Sequence, residues 1–168
     1  NLLRNLGAEV SIDIESHSAT IGAPGKIKDS LDPRLAGKIR ASLLLAAPIL
    51  ARTGSLILPR PGGDKIGRRR IDTHISVLEQ LGASIQQESD HLLIQIEATF
   101  KGAEIFLDEA SVMATENAIM AAAVASGNTV INNAACEPHV QQLCKMLCSM
   151  GAEIKGSGTN QLKIRGLE

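Results

Sequence analysis

Apolar residues along this chain repeat at two periods, and the period switches from one segment to the next. From about Ile71 to Leu81 they return every three or four positions, which puts them on one face of a helix, and Pro138 to Met150 has the same spacing. Ala83 to Gln87 and His91 to Glu97 alternate instead, as half-buried strands do, and Glu88-Ser89-Asp90 between them supplies a turn. Further strands are predicted at Ser55 to Leu58 and at Ala103 to Leu107. Small-residue helices are predicted from about Ala114 to Ser126 and near Leu35 to Arg52. Their Ala-rich stretches, Ala41 to Ala51 and Met120 to Ala125, are small enough to be packed on all sides. Such alternation implies an α/β fold with sheets packed on helices.

The pattern also repeats. Leu6-Gly7-Ala8-Glu9-Val10, Leu81-Gly82-Ala83-Ser84-Ile85 and Met150-Gly151-Ala152-Glu153-Ile154 are three versions of one phrase. Each ends a helix and opens a strand, because glycine accepts the left-handed conformation that closes a helix and the β-branched residue after it starts an extended run. A second phrase recurs as Gly54-Ser55-Leu56-Ile57-Leu58 and Gly127-Asn128-Thr129-Val130-Ile131. The unit is therefore about seventy residues long. Residues 54–126 make one full copy, 1–53 the second part of another, and 127–168 the first part of a third. Gly156 and Gly158 mark the turn of the last hairpin and are not a nucleotide fingerprint.

Composition excludes several classes. At 168 residues, 44% hydrophobic and 21% charged, the chain is an ordinary globular segment. Its longest apolar stretch, Ala41 to Ala51, falls short of the roughly 20 residues a membrane span needs. Asn1 runs straight into an amphipathic pattern with no visible targeting segment, as expected of a piece cut from a longer polypeptide. A net charge of −1 and the near absence of aromatics, two Phe with no Tyr or Trp, argue against nucleic acid as a partner. Cys136, Cys144 and Cys148 have neither zinc-site nor redox spacing. They read as reduced, partly buried thiols of a cytoplasmic protein.

One segment departs from this even charge. Residues 60–70 hold Arg60, Lys65, Arg68, Arg69 and Arg70 against Asp64 alone, in a loop opened by Pro61-Gly62-Gly63. Guanidinium forks pair bidentately with phosphate or carboxylate, so the loop is addressed to a multiply anionic ligand. Asp64 is either a salt-bridge partner within the cluster or an acid/base group that a closing loop delivers to that ligand.

The ordered set Ile39-Arg40-Ala41-Ser42, Pro61-Gly62-Gly63-Asp64-Lys65-Ile66-Gly67-Arg68-Arg69, Asp72-x-His74, Ser111-Val112 and Asn133-Ala134-Ala135-x-Glu137-Pro138 resembles the enolpyruvyl transferases that act on UDP-N-acetylglucosamine. The similarity runs through nearly the whole chain. It implies an inside-out α/β barrel of βαβαββ repeats, of which this chain holds one full and two partial copies in a single domain, with a second domain of the same chain completing the active-site cleft. The implied reaction moves the enolpyruvyl group of phosphoenolpyruvate to the 3′-hydroxyl of UDP-N-acetylglucosamine and releases phosphate. No cofactor and no metal are implied, and neither membrane nor nucleic acid is an expected partner.

The resemblance assigns roles residue by residue. Asp64 stands where most members carry a cysteine, and is the expected general acid/base. A carboxylic acid can donate that proton if closure raises its pKa, although Lys65 and the arginines oppose the rise. The same substitution implies insensitivity to fosfomycin, which alkylates the loop cysteine. Arg40 and Arg69 are implied to bind substrate. The run Arg70-Ile71-Asp72-Thr73-His74 corresponds to the segment that cups the uracil, and Ser111 and Val112 to the turn that meets the diphosphate, where a helix start favours an anion. Taken alone, Ser111 is equally a helix cap, and Arg68 and Arg70 are equally solvated charges. Glu109 and Met113 depart from the lysine and glycine common in the family. His17 and His91 fall at hairpin positions, and His139 at a helix start beside Glu137. Two alternatives stay open: an enzyme acting on shikimate 3-phosphate, and a silent domain that binds nucleotide-sugar or scaffolds a partner. With part of the site beyond its ends, the isolated chain is expected to be inactive.

Overall fold

The computed structural model describes residues 1–23, 25–63 and 70–166. In chain order the elements are α1 (Leu2–Asn5), β1 (Glu9–Asp13), β2 (Ser18–Gly22), α2 (Pro33–Ala36), a 3-10 helix (Arg40–Leu45), α3 (Ala46–Thr53), β3 (Ser55–Pro59), α4 (Asp72–Gln80), β4 (Ser84–Gln87), β5 (His91–Gln95), β6 (Glu104–Phe106), α5 (Val112–Ala122), β7 (Asn128–Asn132), α6 (Pro138–Ser149), β8 (Glu153–Lys155) and β9 (Gln161–Arg165). The fold is α/β, as the alternating periods predict.

The repeat in sequence reappears as a repeat in pairing. β3 and β4 flank β5 in one antiparallel sheet, and β7 and β8 flank β9 in another. The strand outside β7 is β6, which runs parallel to it and comes from the preceding segment of chain. At the corresponding edge of β3, Ser30 makes a parallel bridge to Ile57. These two sheets therefore straddle the boundaries between sequence repeats, whereas β1 and β2 form a two-stranded sheet within residues 1–53. The phrase glycines Gly7, Gly82 and Gly151 all take positive φ, 104°, 96° and 107°, the conformation a side chain would resist.

Helix α5 lies at the centre. It packs on the 3-10 helix, α3, α4, α6, β7 and β9, and Ala114, Ala118, Ile119, Ala121 and Ala122 are buried on nearly all sides of it. A helix whose small and apolar residues are buried on most of its faces is stable only when surrounded. Its Ala side chains allow neighbours to approach closely, so the helices form the interior and the sheets lie outside them.

The helix expected near Leu35 to Arg52 is broken into three pieces. Asp32 caps α2 by accepting from the Arg34 and Leu35 N–H groups. Gly37 ends it, and the next segment winds as a 3-10 helix because the Ser42 hydroxyl donates to the Ala36 and Ile39 carbonyls and so competes for backbone acceptors. Pro48 then sits in the first turn of α3, where its missing N–H costs nothing. The helix expected at Ala114 to Ser126 starts at Val112 and stops at Ala122, the remainder tightening into i→i+3 bonds from Val124 and Ala125. Of the three thiols, Cys144 is buried whereas Cys136 and Cys148 are exposed, so "partly buried" holds for only one of them. Among the described residues, no helix is long and apolar enough to cross a membrane.

Candidate functional site

Three helix starts meet at one end of the molecule. The Thr73 hydroxyl, in the first turn of α4, donates to Asp108 Oδ1 at 2.6 Å, just ahead of α5. Thr115, in the first turn of α5, accepts from the Ala135 N–H at 3.0 Å, just ahead of α6. The partial positive charges of α4, α5 and α6 therefore gather on the same side.

Cationic side chains stand at that end. Arg40 opens the 3-10 helix and donates to the Arg70 carbonyl. The Gly63 backbone packs on Arg40, leaving a side chain at Gly63 only 3.3 Å from the Arg40 nitrogen, and Gly62 approaches the Gly37 carbonyl so closely that any side chain would collide with it. The described residues on both sides of the acid-bearing segment, Gly63 and Arg70, thus rest against one arginine. Asp64, Arg68 and Arg69 lie outside the described residues.

Arg40 and Arg70 separate two cavities. One, of about 350 Å³, is lined by both arginines with His74, Glu109, Ser111, Val112 and Met113. The other, of about 260 Å³, is lined by the same two arginines with Arg60, Ile71 and Asp72 among others. Arg40, Arg70, Ile71, Asp72, His74, Ser111 and Val112, seven of the eight described site candidates, are thereby brought together. Thr73 is the exception: it is buried, its hydroxyl is committed to Asp108, and it lines neither cavity.

Each remaining side chain has a defined local role. Arg70 pairs through Nε with Asp72, whose hydrogen bond and charge, aided by Asp108 and Glu109, hold the guanidinium even more firmly protonated than usual. Ser111 caps α5, accepting from the Ala114 N–H at 3.4 Å, and also lines the larger cavity, so the cap and the site residue are one. His74 is buried, and desolvation, with the Arg40 charge second, pushes its pKa down to about 4. Its ring is neutral at pH 7. Glu109 brings a carboxylate to the larger cavity, a charge of the opposite sign to the two arginines.

His17 takes φ +50° in an exposed turn, and His91 pairs with Asp90 at 2.8 Å. His139 is exposed, and Glu137, at the N-cap of α6, makes no side-chain hydrogen bond to the helix start. Sequence reading passed over Asn117, which is fully buried and bonded to His74. The available signal was the one amide side chain in the Ala-rich run that follows Ser111.

An α/β protein of repeated sheet-and-helix units, with a cavity suited to anions where its central helices begin, is what fold and site define. The profile of the EPSP synthase (3-phosphoshikimate 1-carboxyvinyltransferase) family matches residues 1–168, and the chain belongs to that family. It is 59% identical over 144 residues to the UDP-N-acetylglucosamine 1-carboxyvinyltransferase of Treponema denticola, covering 85% of this chain and 33% of the relative. It is 47% identical over 168 residues to the protein of that name from Borreliella burgdorferi, covering 100% and 39%. The chain thus spans under two fifths of the length of these relatives. Among solved structures, the enolpyruvyl transferase NikO from Streptomyces tendae shares the fold at a TM-score of 0.84, with 21% identity over 99% of this chain and 39% of that one. EPSP synthase from Acinetobacter baumannii shares it at 0.69, with 20% identity over 98% and 37%.

Proposed function

We propose that this chain forms one wall of the active site of a UDP-N-acetylglucosamine 1-carboxyvinyltransferase, which transfers the enolpyruvyl group of phosphoenolpyruvate to the sugar 3′-hydroxyl with release of phosphate, the first committed step of peptidoglycan synthesis. The observation that carries this reading is the meeting of Arg40, Arg70, His74 and Ser111 around one cavity at the starts of α4 and α5. The names of relatives at 47–59% identity support it.

The chemistry follows from charge. Both substrates are polyanions, and a substrate diphosphate at the Ser111 turn would meet the α5 dipole, Arg40 and Arg70. Asp72 and Ile71, lining the adjoining cavity, are the proposed contacts for the base, with Thr73 supporting the turn through Asp108. Asp64 is the proposed general acid/base for the phosphoenolpyruvate methylene, and Arg69 its phosphate contact. Arginines around the leaving group stabilise the charge that develops there. The remainder of the cleft is assigned to a second domain of the longer polypeptide.

Asp64 gives the test. In the complete two-domain protein, Asp64→Asn is expected to lower phosphate release by ~10²-fold or more if Asp64 is the general acid. Asp64→Cys is expected to retain turnover and gain a fosfomycin adduct by intact mass, because a thiolate attacks the epoxide far better than a carboxylate. Undiminished turnover in Asp64→Asn would return this residue to a salt-bridge role. Calorimetric titration with UDP-N-acetylglucosamine and with shikimate 3-phosphate separates the two substrate classes, and heat from the latter alone would overturn the reading.

A further inference from the structure

Asn117 lies fully buried one turn into α5. Its Nδ2 is 2.9 Å from the Leu43 carbonyl and 2.9 Å from His74 Nδ1. The Leu43 carbonyl can only accept, which fixes the nitrogen side of the amide toward it. The second proton of the same nitrogen then points at His74 Nδ1, which must be the unprotonated ring nitrogen. The imidazole proton therefore sits on Nε2. His74 Nε2 has no partner among the described residues. Nor is it one of the fully occluded side-chain atoms without a bond, Asn117 Oδ1 and Thr129 Oγ1. His74 lines the cavity with Arg40, Arg70 and Glu109, and with Nδ1 committed to Asn117, Nε2 is the ring nitrogen left to serve it.

Asn117 Oδ1 is left without a partner in the interior, a cost that an apolar residue would avoid. What offsets it is the work of the nitrogen, which ties together the 3-10 helix that begins with Arg40, the first turn of α4 and the middle of α5. We propose that Asn117 is a positioning residue, which holds His74 as its neutral Nε2–H tautomer and so presents a hydrogen-bond donor to an oxyanion in the cavity. The tautomer claim stands on the hydrogen bonds alone; the oxyanion rests on the diphosphate reading above. The charged groups facing the ring are Arg40 from the 3-10 helix, Arg70 ahead of α4 and Glu109 ahead of α5. Arg40 opposes protonation, so the ring serves as a donor without becoming a cation.

Long-range proton–nitrogen correlation spectra of the ¹⁵N-labelled 168-residue chain at pH 7 test this directly. The expected result is a bare Nδ1 and a protonated Nε2 for His74. In Asn117→Asp the carboxylate can only accept, so the proton is expected to move to Nδ1. At a pH where each form's own titration curve shows the ring neutral, inorganic pyrophosphate should shift Nε2 in the unaltered chain and bind roughly tenfold more weakly to Asn117→Asp, the loss of one hydrogen bond to a charged group. A protonated Nδ1 in the unaltered chain overturns the proposal even if the variant fails to fold, and so does an unchanged tautomer in a folded Asn117→Asp. A fixed Nε2–H tautomer that pyrophosphate leaves unmoved would remove the oxyanion role and count against the diphosphate reading, while leaving tautomer control by Asn117 standing.

Discussion

The first hairpin and the last carry the same pattern and meet opposite fates. Val10 on β1 faces Ile21 on β2, just as Ile154 on β8 faces Ile164 on β9. Yet Ile21 is 56% exposed and Ile164 only 2%. The difference lies in what adjoins each hairpin. β9 is held between β8 and β7 and backed by α5, whereas among the described residues β2 pairs with β1 alone and the helix packed most closely on β1 is the short α1. Ile12 and Ile14 share the exposure of Ile21. A hydrophobic alternation thus states which face of a strand seeks burial, and the third strand and the helix behind it decide whether burial occurs.

The contrast can be broken most forcefully at the closed hairpin. Ile164→Ala is expected to destabilise the chain by about 2–5 kcal/mol through lost transfer energy and a cavity, read as a fall in the urea midpoint at unchanged slope. A loss no larger than that of the matching change at Ile21 would erase the distinction.

Acid probes the same interior by charge. His74 is buried with its pKa lowered to about 4, so below its unfolded value of about 6.5 the unfolded chain binds a proton that the folded chain refuses. Stability should therefore be full above about pH 6.5 and decline as pH falls toward 4, by on the order of 3 kcal/mol. The exposed hairpin offers no such group: the Asp13 carboxyl, held below its usual range chiefly by Ser16, is fully exposed. His74→Gln should flatten the slope across that window, and denaturation midpoints from pH 4 to 7 check it. An identical slope in the variant would assign the effect elsewhere.

Amide exchange gives a subtler measure. β2 amides should exchange faster than those of β9, because a strand paired on one side opens more readily. Equal protection would mean that β1 alone closes the hairpin. The smallest effect is expected at Ile21 itself, where Ile21→Ala should shift stability by no more than about 0.5 kcal/mol. A larger shift would show that the exposed face is packed in solution.

Local chemistry made much of this protein legible in its sequence. The phrase glycines announced the helix ends, because only glycine takes positive φ cheaply, and the switch between periods of 3.6 and 2 announced α4, α6 and the hairpins. The resemblance carried by motif order also grouped Arg40, Arg70, His74 and Ser111, and the structure sets these four around one cavity. Tertiary structure decided what depends on neighbours distant in the chain. It broke Leu35 to Arg52 into three helical pieces, because Ser42 reaches back to Ala36 and Ile39. It committed Thr73 to Asp108 and left the first hairpin open while closing the last. It also set His74, Asn117 and Leu43 in one bonded group, although 74 residues separate the last two. Periodicity is a property of a segment and survives without context, whereas burial, tautomer and hydrogen-bond partner are set by which segments touch.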